Sequence, residues 1–325
     1  MVAAVRVHKV GGPEVLTYED IPVPAAGPGQ IRVKQHAIGV NFVDTYFRSG
    51  LYQAPGGLPF VAGNEAAGEV VEVGAGVSDF KPGDRVAYVQ GPGCYTAERV
   101  VAADRPVKLP ANINYEQAAG MMLKGLTVQY LVRRTFKVEK GMNVLMHAAA
   151  GGVGLILCQW AKALGAKVIG VVGSDAKAEI ARKHGCRHVL ISGRDELVAS
   201  VKALTGGTGV AAVYDAVGKD TFMDSLDCVR RLGIMVSYGN ASGPPPAISP
   251  LELAKRGSLF LTRPSLFNYI ATRAELTAAA RELFAAVKAK KVRVLIGQKY
   301  PLAQAAEAQR DLEGRRTTGS TVLLP

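Results

Sequence analysis

A chain of 325 residues with 48% hydrophobic and 20% charged side chains has material for two sizeable cores, and reads as globular rather than disordered or fibrous. Its apolar runs fall short of the ~20 residues of a membrane span, and no secretory signal is expected ahead of Val2-Ala3-Ala4-Val5. The excess of 39 Lys and Arg over 27 Asp and Glu is spread along the chain, with short clusters such as Lys288-Ala289-Lys290-Lys291; it suits a phosphate-rich ligand without marking a nucleic-acid stripe. Cys94, Cys158, Cys186 and Cys228 lie far apart with no Cys-x-x-Cys pair, so they offer no disulfide framework and suit a reducing cytoplasm.

Residues 1 to about 124 are β-rich, with short alternating runs broken by Gly and Pro. Ile31–Ile38 and Glu69–Gly74 are strand candidates. From about 125 the texture becomes strand–helix alternation: strand Asn143–His147, helix Val153–Leu164, strand Val168–Val172, helix Ala176–His184, strand Val189–Ile191, helix Arg194–Thr205. Val210–Val217, Gly233–Gly239 and Ser258–Thr262 supply later strands, Arg273–Ala289 a long amphipathic helix, and Ser320–Leu324 a last strand. Such alternation implies a parallel, doubly wound sheet.

The first strand of that sheet runs into a glycine-rich turn, His147-Ala148-Ala149-Ala150-Gly151-Gly152-Val153-Gly154, and then a helix. Strand, turn and helix in this order open a dinucleotide-binding unit, whose helix amides and dipole receive a pyrophosphate. Aligned on Gly154, the pattern is Ala149-x-Gly151-x-x-Gly154: alanine stands at the turn-shaping position, Gly151 admits the backbone to the diphosphate, and Gly154 allows close helix packing. Ala150, Gly151, Gly152, Val153 and Gly154 are the expected pyrophosphate contacts.

The second strand ends at Gly173, where an NAD-type fold usually carries Asp or Glu; Ser174 follows, and Lys177 after it. A small residue, a hydroxyl and a cation make a pocket for a ribose 2′-phosphate, so NADPH is the expected cofactor. Asp175 could instead turn inward, or Ser174 and Asp175 could simply cap the next helix with Lys177 solvated.

Gly63-Asn64-Glu65-Ala66-Ala67-Gly68-Glu69-Val70, Gly74 and Lys81-Pro82-Gly83-Asp84-Arg85-Val86 resemble the signature of the medium-chain dehydrogenase/reductase superfamily, and the resemblance covers essentially the whole chain. Asn41–Tyr52, Leu123-Lys124-Gly125-Leu126-Thr127 and Ala148–Gly154 resemble its zinc-free, zeta-crystallin-like NADPH:quinone oxidoreductase branch. The resemblance implies an α/β chain: a GroES-like, partly open β-barrel catalytic domain over 1–124, completed by 266–325, around a Rossmann-type doubly wound nucleotide-binding domain over 125–265. It also implies a homodimer, paired through the edge strand near Ser258–Leu261.

Zinc-dependent relatives carry Cys where Asn41 stands and His where Asn64 stands; an amide is a poor zinc ligand. His8, His36, His147, His184 and His188 show no metal-like spacing, so no metal is expected, and His147 reads as packed rather than catalytic. Without a Lewis acid the acceptor must already be electrophilic, and a quinone is; catalysis is then chiefly positioning. Two-electron delivery leaves an oxyanion for donors to stabilise, and the family resemblance also allows one-electron products. Asn41, Tyr46, Arg48, Tyr52 and Lys124 are the catalytic candidates. Asn41 is assigned to the nicotinamide ribose or ring region, and Tyr46 and Tyr52 line the acceptor slot or donate a hydrogen bond. Arg48 either stabilises charge or pairs with Asp44.

Further cofactor contacts carry over by position: Thr127 as a nicotinamide-side hydroxyl, Ser192 where close relatives place a tyrosine near the adenosine phosphate, and Val217, Tyr238, Gly239, Asn240, Arg263, Pro264 and Ser265 after strand ends. Gly218 and Gly239 are equally explained by turn chemistry. Two other functions stand beside quinone reduction: an NADPH-dependent reductase of activated C=C bonds such as enones, and a non-enzymatic structural or nucleic-acid-binding role permitted by the +12 charge.

Overall fold

The computed structural model describes residues 1–325, with strands β1 Val2–Val7, β2 Leu16–Ile21, β3 Gln30–Val40, β4 Phe60–Val61, β5 Glu65–Val73, β6 Arg85–Val89, β7 Glu98–Ala102 and β8 Val107–Lys108 in its first part. The central part holds β9 Asn143–Met146, β10 Lys167–Val172, β11 Cys186–Ile191, β12 Val210–Asp215, β13 Val229–Ser237 and β14 Phe260–Thr262; β15 Ile296–Pro301 and β16 Ser320–Leu324 close the chain. These elements form two compact units, residues 1–124, 272–284 and 294–325 in one, and 125–271 with 285–293 in the other.

Unit 1 is built on a seven-stranded sheet, in the order β15-β16-β3-β5-β6-β8 with β7 also on β3, and on a small β2-β1-β4 sheet. β3 shows why: Ile31, Val33, Gln35 and Ala37 alternate into the core while Lys34 and His36 face out. Gln35 is the polar member of the inward row. Its amide donates to the Cys94 carbonyl at 2.9 Å and to that of Thr96, and the Tyr88 hydroxyl donates to its oxygen at 2.6 Å, so its burial is compensated.

Unit 2 is a six-stranded parallel sheet ordered β11-β10-β9-β12-β13-β14. That is the doubly wound order 3-2-1-4-5-6, with its crossover point between β9 and β12. β12 is buried along its whole length, as a strand covered on both faces requires. No helix of the chain is long and apolar enough to cross a membrane.

The unit boundaries differ from the expected ones after residue 265. Residues 266–271 belong to unit 2, because Tyr269 stacks on Tyr130 at 4.2 Å and its hydroxyl receives that of Thr135 at 2.8 Å. Residues 285–293 belong there too, with the Arg293 N–H held by the Gln159 side chain at 2.9 Å. The strand expected from Gly233 already starts at Val229, with a positive φ at Leu232 inside it, and that expected over 210–217 stops at Asp215, leaving Ala216–Gly218 as a turn.

Candidate active site

In unit 2, β9 ends at Met146 and the chain turns through His147–Ala150 into helix Gly152–Ala163, with Gly151 as N-cap in extended backbone. A Cβ on Gly154 would lie 2.3 Å from the Ala148 carbonyl oxygen, so only glycine lets the helix start this close to the strand. Ala149 is accepted at the turn because its neighbour Gly170 on β10 lacks a side chain; a Cβ there would lie 2.8 Å from that of Ala149. Ala150, Gly151, Gly152, Val153 and Gly154 therefore come together at the helix N-terminus, whose first amides have no intrahelical partner.

At the ends of β10 and β11, Gly173 is exposed and has open space where a side chain would be. The Ser174 Oγ accepts the Lys177 N–H at 3.4 Å, so Ser174 caps helix Asp175–Lys183 while its hydroxyl stays at the rim. Asp175 is turned to Arg194, whose guanidinium reaches both carboxylate oxygens at 3.1 and 3.2 Å. The Ser192 N–H donates to the Val172 carbonyl at 2.8 Å, which ties the two strand ends together. Arg194, expected only as the start of a helix two residues beyond Ser192, is thus paired with Asp175.

The remaining rim is a set of braced turns. The Val217 N–H donates to Asp215 at 2.7 Å, and its carbonyl accepts the Ser242 N–H and hydroxyl at 2.8 and 2.9 Å. Val217 thus has both backbone groups engaged within the chain. Gly218 has φ +90° and a Cβ would meet the Gly243 carbonyl at 2.4 Å, so turn geometry by itself requires glycine there. The Tyr238 N–H donates to the Asp215 carbonyl, and Arg263 donates to the Gly239 carbonyl at 3.2 Å. Asn240 follows in the loop after β13, while Pro264 is half-buried and Ser265 caps helix Leu266–Tyr269. Thr127 is buried on helix Met122–Tyr130 and hydrogen-bonds Tyr130.

In unit 1, Asn41 caps helix Phe42–Ser49, and the Asp44 carboxylate accepts the Asn41 N–H at 2.8 Å. The Asn41 side chain reaches away, donating to Glu65 Oε1 at 2.8 Å. Lys124 Nζ donates to the same oxygen at 2.6 Å and the Leu123 N–H to Glu65 Oε2 at 2.6 Å. Glu65 is completely buried, and Gly39 makes room for it: a Cβ there would lie 2.2 Å from Oε1. Asn64 donates to Asp44 Oδ1 at 2.6 Å and the Tyr95 hydroxyl to Oδ2 at 2.9 Å. Burial pushes the Asp44 carboxyl up to about 6; the bonds from Asn64, Asn41 and Tyr95 pull it down, and Glu65 pushes it up further. Tyr46 and Tyr52 meet edge to face at 5.3 Å, with Phe47 edge-on to Tyr52 at 5.8 Å.

Because the folded value of Asp44 lies above the ordinary value of 3.8, the native chain keeps a proton the unfolded chain has lost. Its contribution to stability is therefore complete below about pH 4 and declines as the pH rises through about 6. Asp44→Asn is expected to flatten that slope. Going from pH 5 to pH 7, urea unfolding should show the natural chain losing about 1 kcal/mol more than the variant.

Arg48 departs from both of its expected roles. It is buried, donating to Gln309 at 2.7 Å, to both Glu313 oxygens at 3.0 and 2.7 Å and to the Gly11 carbonyl at 3.1 Å, and it makes no pair with Asp44. The guanidinium fork is spent on joining helix Phe42–Ser49 to Ala305–Glu313. Arg48→Met is expected to cost about 2–3 kcal/mol in denaturant unfolding with kcat within about twofold of the natural value. Lys124 is likewise committed to Glu65, 2.6 Å away.

Residues 27–143 match the family model described as alcohol dehydrogenase GroES-like domain, and 152–288 that described as zinc-binding dehydrogenase. The chain is 50% identical to quinone oxidoreductase of Pseudomonas aeruginosa over the whole of both chains. The chain belongs to the quinone oxidoreductase branch of the medium-chain dehydrogenase/reductase family. The crystal structure of Escherichia coli quinone oxidoreductase complexed with NADPH superposes with a TM-score of 0.97 at 49% identity, over 99% of this chain and 100% of that one. A 2-haloacrylate reductase from a Burkholderia species is 46% identical over 100% of this chain and 99% of its own.

The zinc in the second family description does not fit the residues present. Asn41 and Asn64 offer amides, and Glu65 and Asp44 already accept three hydrogen bonds each. No group of three or more His, Cys, Asp or Glu side chains could hold a metal ion. The residues missed from sequence are Glu65, Asp44 as the anchor of the Asn41 cap, and Arg194. A carboxylate amid Gly63, Ala66, Ala67 and Gly68 was the available sign of Glu65, since small neighbours leave room for a buried network.

Proposed function

We propose that this protein uses NADPH to reduce quinones to hydroquinones without a metal. The observation that carries the reading is a Rossmann glycine turn together with a β10 that ends before Gly173, with no carboxylate at that position; Ser174, Lys177, Ser192 and Arg194 follow the ends of β10 and β11. The helix amides of Gly152–Gly154 hold the pyrophosphate, and the hydroxyls and cations hold the 2′-phosphate. Bound NADPH supplies the hydride that a quinone accepts. Val217, Tyr238, Gly239, Asn240, Arg263, Pro264, Ser265 and Thr127 shape the rest of the nucleotide rim. Asn41, oriented by Glu65 and Lys124, is assigned to the nicotinamide, and the Tyr46–Tyr52 pair to the acceptor. The protein works in the cytoplasm as a homodimer, paired through β14, an edge strand whose Phe260 and Leu261 are exposed.

The resemblance to 2-haloacrylate reductase supports a second reading, reduction of an activated C=C bond, in which Tyr46 or Tyr52 delivers the proton. Turnover of 1,4-benzoquinone and a simple enone, side by side with NADPH, separates the two. Fast quinone turnover supports the first. Turnover of the enone alone supports the second, and a drop of at least about tenfold in Tyr46→Phe or Tyr52→Phe then names the donor.

A further inference from the structure

Three buried polar side chains of unit 2 form a relay across the crossover point of the sheet. His147 Nε2 lies 2.9 Å from Ser225 Oγ, Ser225 Oγ lies 2.9 Å from Asp215 Oδ2, and Asp215 Oδ1 receives the N–H groups of Val217 and Gly218 at 2.7 and 3.1 Å. Thr221 adds its hydroxyl to Oδ2 at 2.6 Å. His147, Ser225 and Asp215 are each 1% exposed or less.

The direction of every bond follows from chemistry. A carboxylate accepts only, so the single Ser225 hydroxyl proton goes to Asp215. Ser225 Oγ must then accept from His147, which has to carry its proton on Nε2. Burial pushes His147 below its ordinary value, against the pull of Asp215 and Asp224, so the ring at neutral pH is a neutral imidazole with one N–H. A Nδ1–H tautomer would leave two acceptors facing each other in the interior.

The two ends of the relay belong to two different cofactor loops. His147 follows β9 and leads into Ala148–Gly154, while Asp215 ends β12 and sets the Val217–Gly218 turn. We infer that His147 is a positioning residue for NADPH: as an Nε2–H donor it locks the pyrophosphate loop to the rim turn. This deepens the proposed function and rests on it. The relay touches no acceptor candidate, so its loss is a loss of nucleotide affinity and not of acceptor recognition.

The test uses the full-length protein. His147→Leu and Ser225→Ala are expected to raise Kd and KM for NADPH about tenfold and to leave KM for 1,4-benzoquinone within about twofold. His147→Gln keeps an N–H donor and should recover NADPH affinity to within about threefold of the natural protein. A His147→Leu protein with natural NADPH affinity but a lower Tm, or equal losses for NADPH and quinone, would overturn the inference. Nitrogen NMR of histidine-labelled natural protein reads the tautomer even if the variants fail to fold. Nε2–H is expected, and Nδ1–H would overturn the relay. If the natural protein binds no NADPH in direct titration, the function proposal fails, while the tautomer result still stands by itself.

Discussion

Gly173→Asp is expected to reverse the coenzyme preference, lowering kcat/KM for NADPH about 100-fold and raising that for NADH about tenfold. The position is exposed and a side chain there meets open space, so the fold tolerates the change apart from ordinary turn adjustments. The new carboxylate would face the site proposed for the 2′-phosphate. It repels a phosphate carrying one to two charges and accepts a hydrogen bond from a 2′-hydroxyl. The neighbouring Asp175 is instead turned to Arg194, 3.1 Å away. Arg194→Ala is the natural companion: it removes a cation from the pocket and frees Asp175 at once, and should weaken NADPH more than NADH. Steady-state kinetics with both nucleotides measure the switch. Parallel losses for NADPH and NADH in Gly173→Asp would place the 2′-phosphate elsewhere.

Glu65→Gln is the second large effect expected. Its carboxylate is fully buried and forms an ion pair at 2.6 Å with Lys124, itself only 7% exposed in its side chain. Neutralising one member of such a pair leaves the other charged in the interior, which costs about 3–5 kcal/mol. Gln keeps one acceptor oxygen and sets an NH2 in place of the other, so either the Leu123 N–H or the Asn41 and Lys124 donors lose their acceptor, and activity should fall with stability. Adding Lys124→Met to Glu65→Gln removes the stranded charge and should restore most of the stability. A double-mutant cycle in urea then reports the coupling, expected to exceed about 2 kcal/mol. Additive losses would show that the pair is not coupled.

What could be read in the sequence was what is local. The turn Ala148–Gly154, its strand and its helix are specified within about 20 residues by spacing and by backbone needs, and the parallel sheet followed from apolar runs of strand length. The absence of an acid at Gly173 was equally visible. What escaped depends on partners distant in the chain. Arg48 was read against Asp44, one helical turn away, whereas its partners are Gln309 and Glu313, more than 260 positions along. Glu65 looked like one more charge in a β-rich stretch until Asn41, Leu123 and Lys124 closed around it. His147 was read as a packed residue, and packed it is; the direction of its hydrogen bond emerged only when Ser225 and Asp215 were seen to lie in line.

Bound at the glycine turn proposed for it, NADPH is expected to reduce a quinone without help from a metal. The most direct measurement is the single-turnover oxidation of NADPH by 1,4-benzoquinone, using protein dialysed against a strong chelator and NADPH carrying deuterium at the transferred position. Undiminished turnover after chelation, a rate slowed by the deuterium, and one hydroquinone formed per NADPH consumed are expected. Loss of turnover on chelation with recovery on adding zinc would contradict it.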